Sequence, residues 1–361
     1  MSLIRENDFN SLQRSLLLFE NAIHSDATMK LYTKGLQNFM QFVGYENKHD
    51  EYASLHSKVI DKHLEDYVLY QSHRKIKGIT VRNYLKPIYL FLDVNRIQYF
   101  PKAINRLIPR DKTKKGSSKP FTDKDIQDML DYTNSSRNKA LVLFFSSIGG
   151  RPAVLTDPIL CFKHLHVMPH GCKAVLMYEN SDEEYWGFLT PEASNALEVY
   201  RDERIRNGEI ISQESPLFAI QKKNRFKEEL YLSIPALNSI FENLERKANI
   251  EKIKTGYRYD KALMYGFRKR FNTILKIEST VNSNIAEKLL AHKNGLDGVY
   301  LKPTREECFE EFLKAVPELT VSKAEKLSLK LEKSESEKDK KILKLELEMK
   351  EVYKLLEQIR N

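Results

Sequence analysis

The chain has 361 residues, 41% of them hydrophobic, which is enough to bury more than one core and suits two or three domains. Lysine and arginine outnumber aspartate and glutamate by 59 to 50, a balance that favours an anionic partner without naming one. No window reaches the roughly 18 uninterrupted apolar residues of a membrane span, and the opening MSLIRENDFN lacks the apolar core of a secretory signal, so no membrane partner is expected and the expected address is the cytoplasm.

From Ser25 to about Pro109 the spacing predicts helices. In SDATMKLYTKGLQNFMQFVGY, Tyr32, Leu36, Phe39 and Val43 recur at helical intervals, with Ser25 or Asp26 to cap the start and Gly44 to stop it. VIDKHLEDYVLYQ repeats the pattern with Ile60, Leu64, Tyr67 and Val68. GITVRNYLKPIYLFLDVNRI lines up Val81, Leu85, Ile88 and Leu92, and Pro87 is expected to kink this element or split it. Lys75, Lys77, Arg82, Lys86 and Arg96 gather on and around it, as a face for DNA or simply a solvated one. Residues 1–109 thus read as a helical domain. The next ten, RDKTKKGSSK, carry five positive side chains against one acid. They read as a flexible linker over 110–119, in which Lys112, Lys114, Lys115 and Lys119 either follow phosphates or line a solvated hinge.

After the linker, PFTDKDIQDMLDYT offers Thr122 as a cap with acids in the first turn, and SRNKALVLFFSS follows as a buried helix that IGGRP interrupts. Between Cys161 and Thr190 apolar and polar residues alternate, with turns at PHG and ENSD, which predicts three short strands. Helices resume at PEASNALEVYRDERIRN and continue through SIPALNSIFENLERKANI, LMYGFRKRFNTILKI and VNSNIAEKLLAHKNG. The expected fold is mainly α with a small antiparallel sheet, a second domain spanning 120–317. Over 318–361, Ile342, Leu345, Met349, Val352, Leu356 and Ile359 alternate at three and four residues. That is an amphipathic helix or short coiled coil, packing on its own domain or on a second copy. Cys161, Cys172 and Cys308 form no CxxC pair and leave one over, so they read as reduced, incidental thiols.

Four residues carry possible chemistry. Arg151 follows two glycines and precedes Pro152, which pushes its backbone away from helix and lets the chain approach another surface. Arg268 stands in YGFRKRF between Phe267 and the basic pair Lys269 and Arg270, while His292 precedes Tyr300 by eight residues in LLAHKNGLDGVYLKP. Taken singly, each has a bland explanation in helix starts, satisfied cores or packing. Together they meet one demand. Breaking a phosphodiester with a side-chain hydroxyl needs a nucleophile, neutralisation of two non-bridging oxygens, and a proton for the departing sugar oxygen. Arginine forks bind phosphate oxygens bidentately and stay charged, and two of them make a metal ion unnecessary. An imidazole can add a hydrogen bond or shuttle a proton, and a phenol of pKa near 10 becomes competent in such a cationic pocket.

SSIGGRP, YGFRKRF, LLAHKNG and GVYLKP, in this order, resemble the tyrosine recombinases or phage-type integrases, especially their archaeal branch. The helical segment ending in TVRNYLKPIYLFLDVNRI resembles the core-binding domain that precedes their catalytic domain, and the likeness covers about residues 20 to 315. It implies a core-binding domain over 1–109 and a catalytic domain over 120–317 that together clamp double-stranded DNA. Tyr300 would attack the scissile phosphate to give a 3′-phosphotyrosyl enzyme and a free 5′-hydroxyl, with Arg151, Arg268 and His292 around the phosphate. No metal, cofactor or ATP is implied, and Lys269 and Arg270 join the linker and first-domain lysines as DNA contacts. Strand exchange would take place in a homotetramer with the C-terminal segment docked on a neighbour, in a nucleoid-associated cytoplasmic protein.

The resemblance has three departures. The family has His or Lys three residues before its second arginine, where this chain has Tyr265. Its general acid, a lysine in a turn of the small sheet, faces YENSDEEYW here, with Lys173 several residues upstream. The Glu often found three residues after the first arginine is Val154. The alternatives are a DNA-binding protein of this fold that has lost strand exchange, a type IB topoisomerase-like relaxing activity, and a helical interaction protein with a coiled-coil tail.

Overall fold

In the computed structural model, residues 1–115 gather into one unit and 116–361 into another. The structure describes residues 14–111, 119–220, 231–255, 258–261, 263–292 and 302–332, with 334, 335, 338, 345 and 349 beyond them.

The first unit is helical: α1 (Arg14–Asn21), α2 (Asp26–Val43), α3 (His49–Ala53), α4 (Ser57–His73), α5 (Gly78–Val94) and α6 (Pro101–Leu107). Ser25 opens α2 by accepting the Thr28 N–H, and Gly44 closes it in the left-handed conformation, its own N–H reaching the carbonyls of Gln41 and Met40. Leu36, Phe39, Ile60, Leu64, Val81, Leu85, Ile88 and Leu92 are all buried, because residues three and four apart form one stripe per helix.

Pro87 does not split α5, which runs unbroken from Gly78 to Val94. A proline inside a helix forfeits a hydrogen bond and crowds the carbonyl four residues back, at a cost of about 3 kcal/mol. Burial offsets that cost. The ring is buried against α2, where a Cβ on Gly35 would lie 2.8 Å from Pro87 Cγ, so the glycine is what lets the two helices meet. Asp111, expected in the linker, instead caps α5: its carboxylate accepts the Gly78 N–H at 2.9 Å and the Ile79 N–H at 3.0 Å.

The second unit begins with a reciprocal cap between Thr122 and Asp125 at the head of α7 (Asp123–Asp131). Helix α8 (Ser136–Ile148) is buried continuously from Ala140 to Ile148 and ends at a 3₁₀ turn over Pro152–Leu155. Strands β1 (Leu165–Val167), β2 (Lys173–Met177) and β3 (Tyr185–Leu189) form an antiparallel sheet, with Lys173 opposite Leu189 and Met177 opposite Tyr185. Strand alternation divides their side chains between two cores. Val175, Met177 and Leu189 join α8 in one, while Ala174 and Phe188 join Phe271, Leu275 and Phe312 in the other. The chain continues through α9 (Pro191–Arg206), α10 (Ile234–Lys247), the ribbon β4–β5 (Lys254–Thr255 and Arg258–Tyr259), α11 (Tyr265–Thr273), a π turn (Ile274–Glu278), α12 (Ser283–Leu289) and α13 (Arg305–Leu319).

Residues 323–332 are also helical and lie on this same unit. Lys326 pairs with Asp123 at 2.9 Å and Glu318 at 3.2 Å, and Leu329 packs against the second core. Of the heptad positions, Leu345 and Met349 are exposed, whereas Ile342, Val352, Leu356 and Ile359 lie outside the described residues. Among the described residues no helix is long and apolar enough to cross a membrane.

Gly35→Ala gains up to about 1 kcal/mol of helix propensity but drives a methyl into the Pro87 ring, an overpacking cost of about 1–3 kcal/mol. Urea unfolding should show a net loss of stability, and adding Pro87→Ala in the same chain should recover most of it.

Candidate active site

The site is built where the end of α8 meets α11. Gly149 closes α8 with φ +56, and a Cβ there would lie 2.6 Å from the Phe271 side chain, so a glycine is needed both for the turn and for the contact. Two residues on, Arg151 stands in extended conformation before the Pro152 turn. Its Nη1 lies 3.7 Å from Glu183 Oε2, and its charge favours ionisation of the nearby Tyr178 phenol. Glu183 and Tyr178 both belong to the β2–β3 connection.

Arg268, on the inner side of α11, is 9% exposed. Its Nη1–H donates to the Gly149 carbonyl at 3.0 Å, and its Nη2 donates to the Leu290 carbonyl at 2.5 Å and meets His292 Nε2 at 2.9 Å. His292 Nδ1 lies 2.5 Å from Glu287 Oε2, and Glu287 also pairs with Lys276 of the π turn. This network fixes the ring: Nδ1 keeps its hydrogen and donates it to the carboxylate, while Nε2 accepts from the arginine. Ala291, with φ +52, makes the left-handed turn that brings His292 back to Arg268.

Burial, and then the nearby Arg151 cation, pull the Arg268 pKa below the usual guanidinium value, although the group stays charged. Burial also lowers the His292 pKa, helped by Arg268, Arg151 and Lys276, so the ring is neutral near pH 7. Tyr178 and Tyr185 are pushed above the ordinary phenol value by burial, despite the pull of both guanidinium groups. Two cations and a neutral imidazole with a basic Nε2 make a pocket for a tetrahedral oxyanion, each charge-assisted hydrogen bond contributing about 1.5–3 kcal/mol.

No family model and no curated protein matches the chain. Solved structures do. The Tn1549 transposon integrase in complex with circular intermediate DNA is similar at a TM-score of 0.52 and 15% identity, over 82% of this chain and 98% of that one. The XerH site-specific recombinase in its post-cleavage complex with palindromic difH substrate is similar at 0.51 and 15%, over 80% of each. The chain has the tyrosine recombinase fold.

Within this fold the structure brings Arg151, Arg268 and His292 together and leaves other expected residues elsewhere. Tyr265 lies one turn before Arg268 on α11 and is 53% exposed. Tyr300 lies outside the described residues, as do Lys112, Lys114 and Lys115. Lys173, weighed as a proton donor, sits at the opposite end of β2 from Tyr178, roughly 15 Å away by strand rise, and is paired with Glu198 at 2.8 Å. It is thereby removed from the Arg151 pocket. Arg270, expected against DNA, is 4% exposed; it bonds Asp123 at 2.6 Å and the carbonyls of Glu318 and Leu319. The reason is helical geometry. Two residues past Arg268 is about 200° further round the helix, so the two arginines face different neighbours. Lys269 is half-buried, and burial lowers its pKa. Lys119 pairs with Asp260 at 3.0 Å. In the first unit Lys75, Arg82, Lys86 and Arg96 are exposed, and Lys77 is the residue before α5.

Three residues escaped the sequence reading. Val154 is core, and Arg151 has Glu183 as its counter-charge, with the Tyr178 phenol nearby. The acidic turn YENSDEEYW was the available signal, because carboxylates opposite a required arginine can orient it. Glu287 had none: an acid five residues before a histidine marks nothing until Ala291 turns the chain.

Nitrogen-15 NMR should show His292 as the Nδ1–H tautomer, with a protonation midpoint below the ordinary 6.5. Glu287→Ala removes an anion that favours imidazolium, so the midpoint should fall further and the tautomer preference weaken. A midpoint above 6.5 would contradict the network.

Proposed function

We propose that the protein is a site-specific DNA recombinase or integrase that cuts and rejoins duplex DNA through Tyr300. The Tyr300 Oη attacks the scissile phosphorus and its proton passes to His292 Nε2, which gives up the hydrogen bond it accepts from Arg268 as it does so. The bond to the 5′-oxygen breaks, leaving a 3′-phosphotyrosyl link and a 5′-hydroxyl. That hydroxyl, or one from a partner duplex, reverses the attack, so the bond energy is conserved without ATP. Arg151 and Arg268 neutralise the non-bridging oxygens. Among the described residues Arg268 commits three of its five N–H groups to Gly149, Leu290 and His292, which leaves Nε–H and one Nη1–H for phosphate. Exposed Lys75, Arg82 and Lys86, with Lys112, Lys114, Lys115, Lys119 and Lys269, would contact the DNA backbone, and strand exchange would take place in a tetramer.

The observation that carries this reading is the buried Arg268–His292 pair beside Arg151 on a tyrosine recombinase fold. Charged residues gathered at one site without a packing need signal function. A rival reading, duplex binding without cleavage, draws on the engagement of Lys173 by Glu198.

Incubation with a randomised-sequence duplex library carrying a nick near each candidate cleavage position should trap a denaturant-resistant protein–DNA adduct. Tyr300→Phe should abolish it, and Arg151→Ala or Arg268→Ala should slow it by about 10²–10³-fold. DNA binding with no adduct from any member of the library would favour the rival.

Tyr265→His separates two roles for that phenol. If it merely replaces a better proton acceptor, the adduct forms faster in the variant; slower formation would mean the phenol acts for itself.

A further inference from the structure

His292 must be oriented by Glu287 and yet arrive at the reaction as a free base, and these two demands oppose each other. A carboxylate against Nδ1–H fixes the ring, but its negative charge also favours the imidazolium. An imidazolium formed early has no lone pair left for the tyrosine proton.

Glu287 is shared. Its Oε2 meets His292 Nδ1 at 2.5 Å, and its Oε1 pairs with the Lys276 ammonium. One carboxylate therefore separates a lysine cation from the ring. Lys276 is carried there by the π turn Ile274–Glu278, which directly continues α11. Ile274 and Leu275 anchor that turn in the second core. Such turns are rare, and they gather at functional sites. The Lys276 side chain is 33% exposed and that of Glu287 15%, so water and salt screen this pair less than an open surface pair.

Four charged groups face the ring: Arg268 from α11, Arg151 from the turn before Pro152, Lys276 from the π turn and Glu287 from α12. The cations all disfavour a second proton on it. A phosphate lying against the two guanidinium groups offsets their charge, and their restraint on the ring weakens at the moment it is needed. Lys276 reaches the ring from its Nδ1 side, through Glu287, so its charge persists while the phosphate is bound.

We propose that Lys276 is a positioning residue for the attack: it balances the Glu287 charge, so that the carboxylate orients His292 without drawing a solvent proton onto it before the Tyr300 proton arrives. The inference rests on the Tyr300 chemistry proposed above.

The test has two readouts on the full chain, in the wild type, Lys276→Met and Lys276→Arg. Nitrogen-15 NMR without DNA follows the His292 midpoint. Methionine keeps the stem without the charge, so the midpoint should rise, opposite in sign to Glu287→Ala, whereas arginine should leave it near the wild-type value. Adduct formation is then followed against pH on a duplex recovered as cleavable. A midpoint one pH unit higher makes the acid limb of Lys276→Met about tenfold slower while the rate above the midpoint stays close to wild type. A merely structural lysine would lower the rate at every pH. An unchanged midpoint in Lys276→Met, or a raised midpoint with the acid limb unmoved, overturns the proposal. A wild-type chain that forms no adduct from any duplex overturns the recombinase reading, while the NMR midpoints still decide whether Lys276 balances Glu287.

Discussion

The buried Arg268 guanidinium ties three separate stretches of chain to one point. It bonds the carbonyl that ends α8, the carbonyl that follows α12, and the His292 ring, from a position on α11. A charge taken out of water costs several kcal/mol unless its hydrogens are satisfied. The carbonyls and the imidazole meet that requirement, and they also fix the guanidinium to within a hydrogen bond's tolerance. Removing it would strand these acceptors and loosen the meeting of α8, α11 and α12 together.

The surrounding charges make sense as consequences of that placement. Arg151 and Arg268 repel each other, and Glu183 offsets the charge of Arg151. Beside two guanidinium groups His292 rests as the neutral ring with a lone pair on Nε2, while Glu287 holds Nδ1–H. Such an arrangement is prepared before a phosphate arrives. Preorganised charge of this kind avoids reorganisation at the moment of reaction.

Periodicity made much of the scaffold legible. The stripes in α2, α4 and α5, the Thr122 cap, the buried α8 and the three short strands follow from spacing and cap chemistry that act within a few residues. Of the kink or split expected at Pro87, the split does not occur, because the local cost is met by a contact with Gly35 on another helix. Arg270 was misplaced for a related reason: basic residues in one short motif read as one patch until helix geometry sends them to different faces. At the site, Arg151, Arg268 and His292 were visible through their order and chemistry. Glu287 became visible only in three dimensions, since its partner lies across the turn at Ala291, whereas Glu183 stood in an acidic turn whose place opposite Arg151 the fold supplies.

The most direct measurement of the central claim replaces one non-bridging oxygen of the scissile phosphate by a methyl group, removing its negative charge. If Arg151 and Arg268 act by neutralising that charge, Arg268→Ala, crippled on ordinary DNA, should recover cleavage on the neutral duplex. An equal defect of Arg268→Ala on both duplexes would contradict a phosphate clamp and leave the arginine as a structural tie alone.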